Sequence, residues 1–79
     1  MGKVHPKVDE AIENLHQLLA ANPEDPSGKS RLSDALTMRA RKLAQAGDRA
    51  GAQAELLKAV QLDPSNTQAN KELLQMKQQ

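Results

Sequence analysis

The chain contains no phenylalanine, tyrosine or tryptophan. Aromatic side chains bury about 150–250 Å² each, so a core without them must be built from Leu, Ile, Val, Met and Ala, and it must be thin. Cysteine is absent as well. That excludes disulfides, thiolate metal sites and thiol nucleophiles, and it fits a reducing compartment. Nor does charge of one sign dominate: 11 Lys and Arg stand against 10 Asp and Glu, for a net +1. No strong field therefore recruits nucleic acid or an anionic membrane. No apolar run approaches the roughly 18 residues of a membrane span. The opening Met1-Gly2-Lys3-Val4-His5-Pro6 lacks the apolar stretch of a secretory leader, and Pro6 stands where N-myristoylation wants Ser or Thr. At 79 residues a single core supplies only a few kcal/mol. The expectation is one small cytoplasmic domain covering residues 1–79.

What is present is helical periodicity, punctuated by Pro and Gly. From Pro6 to Ala21, the apolar Val8, Ala11, Ile12, Leu15, Leu18 and Leu19 fall on one helical stripe, opposite Glu10, Glu13, Asn14 and Gln17. Pro6 suits a first turn, where its missing N–H costs nothing. Asn22-Pro23-Glu24-Asp25-Pro26-Ser27-Gly28 breaks the pattern. The second helix then begins at Pro26 with Asp25 as N-cap, or at Ser30, and ends at Gly47, which can adopt the left-handed conformation. Its apolar positions are Leu32, Ala35, Leu36, Ala40, Leu43 and Ala44. A third helix follows Asp48 and runs to about Leu62, with Ala52, Leu56, Ala59 and Val60 inward. Asp63-Pro64-Ser65-Asn66 stops it, and Asn66 is placed to cap a fourth helix over 67–79. That helix has a narrow stripe of Ala69, Leu73 and Met76, and the expectation is that it is nearly solvated.

The first and third helices repeat one another. Ala11, Leu15, Leu18, Leu19 and Pro23 match Ala52, Leu56, Ala59, Val60 and Pro64, in the spacing Ala-x3-Leu-x2-apolar-apolar-x3-Pro. A small residue one turn before a large one lets a neighbouring helix cross closely while Leu fills the adjacent hole. This spacing resembles the tetratricopeptide repeat, a helix-turn-helix unit of about 34 residues. Residues 33–66 cover one unit, with Leu36, Arg39, Ala40 and Leu43 at the Trp, Leu, Gly and Tyr places of its first helix. Gly47-Asp48 stands at the turn, and Ala52, Leu56, Ala59 and Asp63-Pro64 follow. Val8-Asp9-Glu10-Ala11-Ile12-Glu13 looks like the start of a second helix, and 67–79 like a polar closing helix. The implied fold is all-α, with tetratricopeptide-like antiparallel hairpins and about four helices. Two departures stand out: Arg39 replaces a core Leu, and Ala11 and Ala52 lie 41 positions apart rather than about 34. The surplus goes either into a long 22–29 connection or into two extra turns of the second helix.

Catalytic patterns do not survive inspection. Gly28-Lys29-Ser30 would need a glycine where Pro23 stands and a strand before it to cradle phosphate. Glu13-x-x-His16 has the spacing of di-metal bundle ligands, but the only other histidine is His5, and Glu13 lies on the polar face. No enzyme, cofactor or metal site is expected. Arg39, Arg41, Lys42 and Arg49 form the basic cluster, within reach of Asp34, Asp48 and Glu55, and they read as a solvated surface.

What the resemblance implies is a protein–protein interaction module binding a peptide or partner helix on the face of its first-type helices. Mapped here, that groove carries Asp34, Thr37, Arg41, Gln45, Lys71 and Gln75. Members of the family that clamp a peptide carboxylate cluster Lys, Arg and Asn there, and Arg41 and Lys71 are of that kind. The alternative is a structural repeat protein, designed or reconstructed, without a natural ligand. Leu57 and Leu74 lie outside the stripes of their helices, and the first helix has no helix before it. A concentration-dependent homodimer through that helix is therefore expected.

Overall fold

A computed structural model describes residues 6–78, and the opening residues 1–5 and the last residue of the predicted fourth helix lie outside it. The chain forms α1 (Pro6–Ala21), α2 (Pro26–Gln45), α3 (Arg49–Leu62) and α4 (Thr67–Lys77), with no strand among the described residues. Each helix packs antiparallel on the next in sequence, and α2 also touches α4. Among the described residues α1 packs on α2 alone. The result is a slab of 37 × 33 × 14 Å. Its thickness is little more than the 10–12 Å diameter of about one helix, so every helix keeps a side in water and few positions are fully enclosed.

Local chemistry sets the helix ends. The Asp25 carboxylate accepts from the Ser27 N–H at 3.1 Å, with Pro26 opening the helix. Asp48 does the same for Gly51 at 2.8 Å and Asn66 for Ala69 at 3.1 Å. Each satisfies an amide that the first turn leaves without a partner. Gly47 ends α2 with φ +92°, while the Asp48 N–H donates to the Leu43 carbonyl at 2.8 Å. No side chain crowds the Gly47 Cα, so Gly47→Ala should cost only the backbone penalty of positive φ, about 1–2 kcal/mol. Urea denaturation would read this directly, and an unchanged midpoint would contradict it.

Of the two places open to the surplus residues, a long 22–29 connection or two extra turns of the second helix, the structure takes the second. The turn is Asn22–Asp25, and the seven surplus residues form two added turns at the start of α2. Gly28 is thus not a loop residue. It is buried, and a Cβ there would lie 3.0 Å from Leu19 Cδ2 and 3.3 Å from Leu18 Cδ2, so its missing side chain lets α1 approach α2. The first helix packs on its own chain.

The core runs along α2 and α3. Ala52, Ala59 and Ala69 are wholly buried, and Ala40, Leu56, Leu32, Leu36, Ile12 and Leu73 nearly so. Ala52 is enclosed in the core that α2 and α3 share, as the repeat predicts. Its counterpart departs from the expectation: Ala11 is exposed, and so is Leu18, at 41%. The sequence pattern is the same, but α3 has a helix on either side and α1 has one. The fourth helix is better anchored than a nearly solvated stripe suggests, because Ala69 and Leu73 are buried and Met76 half-buried.

A polar knot ties three helices together. The buried Ser33 hydroxyl donates to the Ala59 carbonyl at 2.7 Å and accepts from Asn66 Nδ2 at 2.8 Å. One side chain therefore holds the end of α3 and the cap of α4 against α2. No buried side-chain nitrogen or oxygen among the described residues lacks a partner.

Candidate functional site

Helical periodicity gives α2 two distinct solvent-facing edges. One carries Asp34, Met38, Arg41 and Gln45, all exposed. α4 lies beside it and adds exposed Lys71 and Gln75. Arg41 Nε donates to Glu72 Oε2 at 2.8 Å, bridging the two helices. Five of the six groove residues expected from the sequence thus share accessible surface on α2 and α4. Thr37 does not: it is 3% exposed, and its hydroxyl donates to the Ser33 carbonyl at 2.8 Å. It supports the strip from beneath. Arg41 is committed to Glu72, which leaves Lys71 without an ion-pair partner among the described residues. The Asp34 carboxylate accepts from Asn66 Nδ2 at 3.4 Å.

The strip also holds a residue the sequence reading passed over. Met38 is 47% exposed and borders a hollow of about 210 Å³ with Arg41, Lys42 and Gln45. It stands one turn from both Asp34 and Arg41, so spacing alone could have placed it there. An unbranched, polarizable side chain in a polar strip adapts to varied apolar contacts.

The other edge of α2 carries Arg39. Its Nη2 donates to both Glu55 oxygens at 3.1 and 3.2 Å, and its Nη1 to Asp9 Oδ1 at 3.2 Å. One guanidinium therefore links α1, α2 and α3, whose flanking pair do not otherwise meet. Burial lowers the Arg39 pKa, while the hydrogen bonds of Glu55 and Asp9 raise it; the balance lies above its ordinary value. The charge is permanent. Of the three acids within reach of the basic cluster, Glu55 pairs with Arg39, whereas Asp48 serves as a cap and Asp34 meets Asn66.

Beyond Arg39 the gap between α1 and α3 forms a cleft of about 420 Å³ floored by α2. His16 faces this cleft, and Glu13 is exposed. The described residues include no group of three metal-ligating side chains. Leu57 and Leu74 are 42% and 57% exposed on α3 and α4, and neither lines the cleft. No described helix is long and apolar enough to cross a membrane.

No protein-family model, curated protein or solved structure matches the chain.

Proposed function

We propose that the chain is a protein–protein interaction module of the tetratricopeptide type, with α2 and α3 as its complete unit, binding a peptide or partner helix along α2 and α4. The observation that carries this reading is the strip itself. Two adjacent helices are bridged by Arg41 and Glu72 and together present Lys71, Gln45, Gln75 and the half-exposed Met38. A fixed pair of helices with mixed polar donors and one adaptable apolar side chain offers orientation and contact area at little ordering cost. The repeat spacing supports the family assignment, and the burial of Ala40, Ala52, Leu56 and Ala59 supports the spacing.

Titrating the isotope-labelled chain with a peptide library should move amide resonances of Met38, Arg41, Gln45 and Lys71 saturably. No saturable site at all would instead fit the second reading, a structural repeat protein without a ligand.

Self-association is a further partner reading, favoured by the open side of α1, where Ala11 and Leu18 are exposed. The route that this open side offers is surface contact. It predicts a weight-average mass that rises between micromolar and millimolar chain in sedimentation equilibrium, and that falls back with Leu18→Lys. A strict monomer throughout would remove the dimer.

A further inference from the structure

The cleft between α1 and α3 has a composition unlike the polar strip. Leu32 and Leu36 of α2 form its floor, and Leu19 and Leu62 its facing walls. Its volume, about 420 Å³, falls in the range of roughly 300–1,000 Å³ usual for ligand sites. It is not a packing fault inside the core, because α1 and α3 make no contact of their own among the described residues. Leu19 and Leu62 are left half-buried as a result.

The charged side chains that line the cleft are basic. His16 stands on the α1 wall, Lys58 and Gln61 on the α3 wall, and Arg39 at the cleft lining. Asp9 and Glu55, on the neighbouring surface, are both bound to Arg39. Lys58 is exposed and has no ion-pair partner among the described residues. Half-covered leucines beside an uncommitted ammonium complement an apolar side chain beside a carboxylate.

We propose that this cleft is a second binding site, which takes a short acidic peptide segment whose leucine-sized side chains neighbour its carboxylates. A basic segment would meet the uncommitted Lys58 head-on, and a neutral one would leave it unanswered, while Arg39 is already answered by Asp9 and Glu55. A second copy of the chain is a poor occupant for a specific reason. Its exposed leucines are Leu18, Leu57 and Leu74, and side chains one turn away on a helix are those that share a face. Those neighbours are Asn14, Leu15, Ala21 and Asn22; Gln53, Ala54, Val60 and Gln61; and Asn70, Lys71, Lys77 and Gln78. None is acidic. Glu72-Leu73 has the required composition but is withheld, since Glu72 is held by Arg41 and Leu73 is buried.

The test uses the full chain, isotope-labelled, and an acetylated and amidated peptide of about ten residues alternating leucine with glutamate, extended-peptide recognition being a mode that sets side chains alternately into pockets. Saturable shifts at Leu19, Lys58, Gln61 and Leu62 are expected. Lys58→Glu should weaken binding by about tenfold or more, while Lys58→Arg retains it. Because Lys58 is exposed and unpaired, both variants should keep the parent circular dichroism spectrum. Peptides with lysine for glutamate, or serine for leucine, should not bind. Four outcomes overturn the proposal: no shift at these residues, equal binding by the lysine peptide, binding by dodecanoate without binding by the peptide, or the same shifts on concentrating the chain alone. The two sites fail separately, because the strip reports at Met38, Arg41 and Gln45 and the cleft does not.

Discussion

Ala52→Leu is expected to cost about 1–3 kcal/mol of stability, the usual penalty for forcing extra methylenes into a packed contact. Ala52 is 0% exposed where α2 and α3 pack, with Leu56 one turn on at 1% and Ala59 at 0%. The small side chain brings the helices close enough for Leu56 to fill the neighbouring space, so the three carbons that leucine adds must push α3 away from α2. A chain of this size holds a net stability of only about 3–5 kcal/mol, so this one substitution should bring much of the population near unfolding. Two controls make the result specific. Gln61→Leu, on an exposed position, should change stability by less than about 0.5 kcal/mol. Ala11→Leu is the sharper control, because Ala11 holds the same place in the repeat but is exposed; it too should be tolerated. Urea midpoints with unchanged slopes would settle all three. Equal losses at Ala11 and Ala52 would mean that α1 is covered in solution, by a second chain or otherwise.

The contrast between these alanines also marks where sequence reasoning stops. Helix ends were legible because their causes are local. Pro6, Asp48, Asn66 and Gly47 each act within a few residues of the boundary they set, and α1 and α4 begin where the capping residues say. The start of α2 stays open between Pro26 and Ser30 in the sequence, because Gly28 reads there as a loop residue. Its role, giving room to Leu18 and Leu19, comes from another helix. Burial of Ala52 followed from the repeat, but burial of Ala11 did not, since the same pattern serves a helix with two neighbours and a helix with one. Thr37 was assigned to the groove by spacing, yet its hydroxyl is spent on the carbonyl one turn earlier and faces Asn66 at 3.4 Å. The cleft was invisible for the same reason. It is a gap between α1 and α3, which are far apart in sequence, and only Arg39 at an otherwise apolar position hinted that something polar lay there.

That arginine supplies the other large effect. Arg39→Leu replaces a charge with an apolar residue of good helix propensity, and propensity alone would rate it harmless. The expected result is a loss of about 1–3 kcal/mol, the cost of leaving a buried polar group without its partner. Glu55 is only 9% exposed, and its carboxylate has no hydrogen-bond partner other than Arg39 among the described residues. Breaking a fully buried pair costs about 3–5 kcal/mol. Here the Arg39 side chain is 32% exposed, so water screens the pair and the lower range applies. Asp9 contributes less still: its side chain is 60% exposed, and Asp9→Asn should cost about 0–1 kcal/mol, as exposed ion pairs do. The decisive variant is the double one. If the stranded Glu55 carboxylate is the cause, Arg39→Leu with Glu55→Leu should recover most of the loss, because an apolar pair of similar volume replaces a buried ion pair at little cost. The coupling between the two sites, read from the four-member cycle of urea midpoints, should then be of the order of the single-variant loss. Additive single effects, with no recovery in the double variant, would show that Arg39 holds α1 and α3 through its aliphatic stem rather than through its charge.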